Sequence, residues 1–507
     1  MQIARNQACR RNFLRTSILC GAVAMTPQAL HASDPAETTV TAEIAAQRLP
    51  LSRVRLEIEV EGNVRAGFKK ASNRMGVRQL PIKSSASFDY EERALWPEGS
   101  TEQSEIIAAQ RYYHRANSTG RLNKTTSART LRDPLRLASV RRDQLPETLY
   151  SEQNFFTLDE LALLRSPVSS VAIDQWLPRG EVMEGDRFEL DSAAICSVLN
   201  LTTVDQGVIN GAIASIDDAS VRIQLKGDVE ASIEGVSTKL RTVGKLTYDR
   251  EARTCTWLAL AIHETRDASV GEPGFDVSAT IRMLRKPLDK PIRLPVDAPE
   301  TDFDSLVSKD LLFAELKSDA LQFGTMVDRR WKTIQDGPGT TILRVIDHGS
   351  SIAQCNVRPL PPLPAGKQLT LEGFQTDVRQ ALGNRLRQLV SGDQAVSSQG
   401  LRVLRIAADG ETQGVPIRWI MMHFSNDEGK RLQATFTMSS DKVETFAGSD
   451  IQFADSLRFL KASEASQDEK KPGIAATEAP SVDVDQTETR IAELPEDEQA
   501  VSASDRF

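Results

Sequence analysis

The sequence predicts an α+β protein. Its N-terminal part is a β-rich antiparallel curved sheet or partial barrel with short helices, followed by a smaller α/β/α sandwich on an antiparallel sheet. Three observations carry this. In RVRLEIEVEG, Val54, Leu56, Ile58 and Val60 alternate with Arg55, Glu57 and Glu59, the period of a strand with one buried and one wet face. From Gly211 to Leu284, GAIASID, SVRIQLKG, VEASIEGV, LRTVGKLTYD, TWLALAIHE and FDVSATIRML follow one another with short connections, which leave no room for crossover helices and require an antiparallel meander. After a proline-rich stretch the rhythm changes, and a segment of helical period stands between strands.

Taken in order, KSSASFDY and QRYYHRA read as further strands after the first. In SEQNFFTLDELALL, Thr157 and Glu160 form a capping box, and Leu158, Leu161 and Leu163 or Leu164 supply the buried side of a short helix. DSAAICSVLNL, opened by Asp191, reads as a second short helix. Within the meander, Lys226-Gly227-Asp228 has the composition of a turn. RKPLDKPIRLPVDAPE, with proline at 287, 291, 295 and 299, breaks all periodicity and reads as a semi-stiff linker.

Beyond it, ILRVIDHG and SIAQCNVRPL are two strands meeting at a turn from Asp347 to Ser350, and PLPPLPAGKQLT is the loop that follows. Phe374, Val378, Ala381, Leu382, Leu386, Leu389 and Val390 recur at helical spacing, so this stretch is expected to be one amphipathic helix. LRVLRIA, PIRWIMMHF and LQATFTM alternate as strands, the last two joined by a hairpin turn from Ser425 to Lys430. Asp450 is placed to cap a final helix with Ile451, Ala454, Leu457 and Leu460 facing inward. The resulting division is a signal peptide at 1–32, a flexible stretch at 33–50, a β-rich domain at 51–286, a linker at 287–300, an α+β sandwich at 301–460 and a disordered acidic tail at 461–507.

The start of the chain carries Arg5, Arg10 and Arg11, an uncharged segment from Thr16 to Leu30, and small residues before a cut after Ala32. This is the layout of a cleaved export signal, too short and too polar to remain as an anchor. Arg10 and Arg11 followed by Asn12, Phe13 and Leu14 resemble the twin-arginine signal, with Arg10, Arg11, Phe13 and Leu14 as the targeting residues. Cys9 and Arg15 depart from its usual Ser or Thr and Lys, and an ordinary Sec signal containing adjacent arginines is the alternative. Leu19 before Cys20 argues against lipid attachment there. The expected location is periplasmic or extracellular, with no transmembrane anchor after cleavage.

The net charge of −8 is unevenly placed: the last 47 residues hold 12 acidic and 5 basic groups, and the leader is +4, which leaves the body at about −5. A body of that sign does not suit nucleic acid. Beyond the leader, Cys196, Cys255 and Cys355 remain. They show no CxxC spacing, so neither a zinc site nor a disulfide framework is indicated. Buried thiols are the simplest reading, and one disulfide between two of the three stays open.

Catalytic patterns are missing from the sequence. His114, His263, His348 and His423 show no HExxH or other paired-ligand spacing, and there is no G-x-S-x-G, phosphate-loop or G-x-G-x-x-G motif. Asp347-His348-Gly349-Ser350-Ser351 holds the residue types of a triad, but neighbours in one tight turn cannot face each other as a triad does. No catalytic, cofactor or metal residue is assigned. The unusual charge feature is Arg111, Arg115, Arg121, Lys124, Arg129, Arg132, Arg136, Arg141 and Arg142, against only Asp133, Asp143 and Glu147. Guanidinium groups suit bidentate contact with phosphate or carboxylate, so this run is a candidate patch for an anionic envelope component or an acidic protein. A solvated loop paired to acidic neighbours, the acidic tail among them, is the plainer alternative.

The strand RWIMMHF, the hairpin GKRLQATFTM and the closing ETFAGSDIQFADSLRFL give the part from 300 to 460 a rhythm that resembles the α/β/α sandwich of the photosystem extrinsic protein PsbP and its bacterial relatives. The resemblance implies a role in binding and assembly. The strand-rich first part is similar, on pattern alone, to uncharacterised exported bacterial proteins and to the curved sheet of lipoprotein carriers such as LolA. The function expected is therefore a non-enzymatic binding or assembly protein of the bacterial envelope. One alternative is a carrier of a lipid or other apolar ligand inside the curved sheet, which requires an apolar cavity. Another is a hydrolase, which requires a cleft where His263 or His423 meets a carboxylate.

Overall fold

The computed structural model describes residues 40–69, 75–101, 105–268, 273–364 and 367–460, with the side chains of 66–69 and 75–77 left out. The expected signal at 1–32 and acidic tail at 461–507 lie outside the described residues. Within the stretch read as flexible, β1 (Thr41–Ile44) is a strand whose Ala42 and Ile44 are buried.

The long strands follow from the alternation. β2 (Leu51–Lys69), β3 (Met75–Leu95) and β4 (Ala108–Leu122) come first, then the short β5 (Thr125–Thr130), β6 (Leu137–Arg141) and β7 (Thr148–Tyr150). After α1 (Leu158–Leu164) come β8 (Gly180–Met183), β9 (Arg187–Glu189) and α2 (Ser192–Leu199). The meander is β10 (Thr203–Ile216), β11 (Ser220–Ile233), β12 (Val236–Asp249), β13 (Thr254–Arg266) and β14 (Gly274–Pro287). β1 and β8 make a two-stranded sheet; the others form one antiparallel 12-stranded sheet in the order β7-β6-β4-β3-β2-β14-β13-β12-β11-β10-β9, with β5 beside β4. The first long strand thus pairs with the last, and the sheet grows outward from that seam on both sides without closing.

One face of this sheet is packed at one end by the segment from Phe156 to Leu201, where Leu164, Ile173, Trp176, Ile195 and Val198 meet Val54, Leu56, Tyr90, Leu258 and Ile281 in one core. The capping box of α1 is present as expected, Thr157 accepting from the Glu160 N–H and Glu160 accepting from the Thr157 N–H. The buried residues of α1 are Glu160, Leu163 and Leu164. Lys226-Gly227-Asp228 is not a turn: β11 runs straight through it, with Gly227 opposite Ile209 of β10 and Thr242 of β12. The physical reason is room, because a Cβ at Gly227 would lie 2.1 Å from the Val208 carbonyl oxygen.

The proline-rich stretch lies against the sheet. The buried Glu91 carboxylate accepts the N–H groups of Ile292, Arg293 and Leu294, and Arg93 donates to the carbonyls of Pro295, Val296 and Asp297. The chain continues through β15 (Ala314–Ser318), β16 (Phe323–Val327), β17 (Trp331–Asp336), β18 (Thr341–Asp347) and β19 (Ser350–Leu360). α3 (Leu371–Leu382), β20 (Leu386–Val396), β21 (Arg402–Thr412), β22 (Val415–Ser425) and β23 (Arg431–Ser439) follow, then α4 (Val443–Phe446), α5 (Ser449–Ser456) and β24 (Arg458–Phe459). A seven-stranded antiparallel sheet has the order β17-β18-β19-β23-β22-β21-β20, and β15-β16-β24 form a sheet of three.

The α+β class with an α/β/α sandwich is overturned. The described residues are mostly strand, arranged in antiparallel sheets of which none closes, with little α/β/α content. Helix is scarce for two local reasons. The amphipathic helix expected over 374–390 stops at Gly383, whose φ of +51° ends the helix, and Leu386, Leu389 and Val390 belong to strand β20. The final helix is short and capped by Gly448 rather than Asp450, which is buried in an ion pair with Arg405 at 2.8 Å, while Ile451 points outward. One face of the seven-stranded sheet is covered by α3 through Phe374, Val378 and Leu382. The other packs on Leu316 and Phe323 of the small sheet and on Phe446 and Phe453 of the short helices.

Candidate ligand-binding cleft

The arginine-rich run is dispersed by the fold. Arg111, Arg141 and Arg142 are buried, so they are withdrawn from any surface patch. Alternation on β4 turns Arg111 inward, where its Nε donates to Glu92 at 2.7 Å and its Nη1 to Glu147 at 2.6 Å. Ser170 and Ser169 donate to the same two carboxylates, and Tyr90 bonds Ser170. Burial works against ionisation of Glu147, but Arg111 and Arg142 outweigh it and hold the carboxyl below its usual range. Arg142 donates to the carbonyls of Ile106 and Ser197, and Arg141 to those of Asp302 and Ser305. This network is closed to solvent, with the Arg111, Glu92 and Glu147 side chains no more than 4% exposed, so it holds the structure together and offers no docking surface.

The remaining members divide in two. Arg115, Arg121 and Lys124 are exposed, the last two at the tip of the β4–β5 hairpin. Arg129, Arg132 and Arg136 line a large cleft and are matched there: Arg129 to Asp159, Arg136 to Asp133, and Arg132 to both Glu160 and Glu315.

The cleft, of about 2110 Å³, lies between the free end of the 12-stranded sheet's packed face and the segment from Leu312 to Gly349. Its floor is built by register. Val60 pairs with Ala279 and Ala279 with Ile262, giving one apolar row across β2, β14 and β13; Val277, Glu264 and Leu240 form the next row. Residues two apart share a strand face, which places both rows on the same side. Ile262, Val277 and Leu240 are 6–7% exposed, and the surface they keep opens into the cleft. Glu264, the polar member, is engaged by Thr238 at 2.8 Å and by Arg266 at 2.9 Å.

The other wall carries Arg329 and Arg330 in the turn between β16 and β17. Arg330 pairs with Asp328 and Asp347. Arg329 donates its Nε to the Leu312 carbonyl at 2.9 Å, while its buried Nη2 has no acceptor among the described residues. Desolvation without a compensating carboxylate lowers its pKa to about 10, so it remains a cation at neutral pH. Nothing in VDRRWK distinguishes Arg329 from Arg330, and the floor residues were legible only as strand positions.

The histidines are not brought together. His114 bonds the Glu91 carboxylate at 2.6 Å; His263 lies 3.6 Å from Asp276 on an exposed face. His348 pairs with Asp347 at the cleft rim. His423 accepts from Arg431 and sits against Phe374, and burial with the nearby Arg431 and Arg402 pushes its pKa down to about 4. Cys196, Cys255 and Cys355 are free thiols, the last two buried. Among the described residues, no cluster of His, Cys, Asp and Glu fits a metal ion, and no helix is long and apolar enough to cross a membrane.

No family model and no curated protein matches the chain. Among solved structures, it is similar in part to cyanobacterial PsbP (CyanoP) from Synechocystis, with 14% identity over 32% of this chain and 98% of that one, at a TM-score of 0.24. A Bacteroides thetaiotaomicron protein aligns with 10% identity over 29% of this chain, at a TM-score of 0.22, and the match spans about half (49%) of that protein. The translocator domain of the autotransporter NalP from Neisseria meningitidis aligns over 76% of this chain and 86% of its own, with 7% identity and a TM-score of 0.11. Alignments this loose carry no argument about function, so the resemblance to PsbP stands only as a weak structural neighbourhood.

Proposed function

We propose that this chain is an exported, non-enzymatic binding protein of the bacterial envelope that carries an apolar ligand in the cleft. The observation behind this reading is the floor: Val60, Ala279, Ile262, Val277 and Leu240, from four adjacent strands, turn apolar side chains into a cleft of about 2110 Å³. An apolar floor set beside charged walls suits a small ligand with an apolar part. Export rests on the leader and its two arginines. A hydrolytic role finds less support, since the carboxylate nearest His263 stands on an exposed sheet face and the described partners of His423 are Arg431 and Phe374.

The test uses the chain lacking residues 1–32 and the neutral fluorescent probe N-phenyl-1-naphthylamine. Saturable binding is expected, and Ala279→Trp, which fills the floor, should abolish it while cooperative melting persists; Ala279→Leu, a smaller obstruction, should weaken it. A folded wild-type chain with no saturable binding, or an Ala279→Trp chain that binds as wild type does, overturns the reading.

A further inference from the structure

We infer that the ligand of this cleft is a long-chain amphiphile with an anionic head group, whose head is met by Arg329. The inference rests on the cleft being an apolar-ligand site, and it adds the chemical class.

Consecutive arginines in one turn are treated differently by the fold. Arg330 is neutralised by Asp328 and Asp347, whereas Arg329 is bonded only through Nε to the Leu312 carbonyl, with Nη2 buried and lacking an acceptor among the described residues. Taking a cation from water without a counter-charge or full hydrogen bonding is costly. The other arginines around the cleft are matched, Arg129 by Asp159, Arg132 by Glu160 and Glu315, and Arg165 by Glu234, while Lys332 on the same wall is exposed to water. Arg329 is therefore the cleft-lining guanidinium without a carboxylate partner among the described residues, and a carboxylate or phosphate oxygen is the acceptor that guanidinium recognises best.

The floor supplies the other half of the ligand. Strands lie about 4.8 Å apart, so the four strands β2, β14, β13 and β12 offer an apolar width of roughly 14 Å, enough to seat a hydrocarbon chain. Glu264, within that floor, is occupied by Thr238 and Arg266 and does not compete for Arg329. An apolar chain on the sheet and an acidic head at Arg329 satisfy both walls at once.

The experiment is displacement of N-phenyl-1-naphthylamine from the chain lacking residues 1–32 by hexadecanoate, hexadecyl phosphate and hexadecanol. At least one of the anions should displace the probe at a concentration ten-fold or more below that of the alcohol, and the stronger of the two identifies carboxylate or phosphate as the head. Arg329→Gln should bring anion and alcohol within two-fold of each other without changing probe affinity, and Arg329→Lys should restore part of the difference. The melting temperature of Arg329→Gln should fall only slightly, since the bond to the Leu312 carbonyl is lost but no paired charge is. Equal competition by all three compounds in the wild type, or undiminished discrimination in Arg329→Gln, overturns the inference while leaving the cleft reading in place. Failure of the probe to bind the wild type removes the cleft reading and the inference together. A chain ending at Leu460 that gains ten-fold in anion affinity over the full-length tail would assign Arg329 to the tail carboxylates instead, and would also overturn it.

Discussion

Arg132 holds Glu160 at 2.8 Å and Glu315 at 3.4 Å with one guanidinium, and so ties the capping box of α1 to strand β15. Glu315 also takes Arg458 at 2.7 Å, and its N–H donates to the Phe156 carbonyl. Burial opposes ionisation of Glu160, but the bond from Arg132 and the backbone N–H of Thr157 outweigh it, so its pKa is lowered from the usual 4.5. Glu147 is lowered in the same direction by Arg111 and Arg142 against its burial. A carboxyl whose folded pKa lies below its unfolded value contributes stability that is fully present above the unfolded value and lost as pH falls through the folded one. Urea denaturation should therefore give a stability that starts to fall below about pH 6.5, where unfolding lets His423 take up a proton that burial denies it, and falls further below about pH 5 as these carboxyls protonate. Glu160→Gln should cost about 1–3 kcal/mol at neutral pH and flatten part of the acid limb. A variant whose acid limb runs parallel to the wild type down to pH 3 would show that Glu160 is not among the responsible groups.

Gly227 sits in the middle of β11, where a Cβ would lie 2.1 Å from the Val208 carbonyl oxygen and 2.6 Å from the Ile209 Cα. Backbone on a neighbouring strand cannot swing aside as a side chain can. Gly227→Ala should cost about 3 kcal/mol or more, read by thermal melting. Gly339→Ala, where nothing lies within 4 Å of the added carbon, should stay within about 0.5 kcal/mol. Similar losses at the two sites would refute the close-approach account of Gly227.

The same glycine shows where sequence reading stopped. Strict alternation made β2 and the meander legible, because a period of two follows from one buried face. Lys226-Gly227-Asp228 has turn composition, and only the strand crossing beside it reveals that glycine serves close approach instead. In 374–390 the apolar spacing is helical throughout, yet the left-handed φ of Gly383 divides it into α3 and β20; local conformation overrode periodicity. The arginine run was visible, but its partners Glu92, Glu160 and Glu315 come from distant strands and a helix. That Arg329 lacks a carboxylate partner among the described residues is a property of the neighbours the fold assembles, and no residue pattern carries it.

Two hairpin turns meet at the rim of the cleft. Glu234-Gly235 and His348-Gly349 are both two-residue loops with positive φ at each position, +50° and +81° in one, +47° and +72° in the other, the geometry that suits the twist of paired strands. A Cβ at Gly235 would lie 3.2 Å from the Cβ and Cδ2 of His348. Gly235→Ala should cost about 1–2 kcal/mol from the backbone conformation and the crowding together. His348→Gly in the same chain should recover the crowding part, so a double-mutant cycle should show a coupling of at least about 0.5 kcal/mol. Additive costs would mean that the two turns do not press on each other.

The proposed export through the twin-arginine route makes a separate prediction. That recognition depends on paired guanidinium groups, which lysine does not reproduce. Replacing Arg10 and Arg11 together by lysine should leave precursor in the cytoplasm, detected by fractionation and by the retained leader. Normal export and processing of the double-lysine chain would exclude this route and leave an ordinary Sec signal.

The part of the arginine run that stays exposed makes the last prediction. Arg121 and Lys124 flank the β4–β5 turn at Asn123, whose φ is +53°, and Leu122 beside them is 40% exposed. Two cations around an exposed leucine at a hairpin tip suit an anionic interface, the charges drawing the tip in and the leucine entering between head groups. Binding of the chain lacking residues 1–32 to vesicles rich in anionic lipid should weaken as salt rises, since exposed charges are screened beyond about 8 Å at physiological ionic strength. Arg121→Glu with Lys124→Glu should abolish that binding, and Leu122→Ser should reduce it without changing its salt dependence. Arg111→Gln is the contrasting variant: Arg111 is buried between Glu92 and Glu147, so it should lower stability and leave vesicle binding by the folded fraction unchanged. Vesicle binding that survives the double glutamate exchange, or that falls with Arg111→Gln at constant folded fraction, would place the anionic contact elsewhere than the hairpin tip.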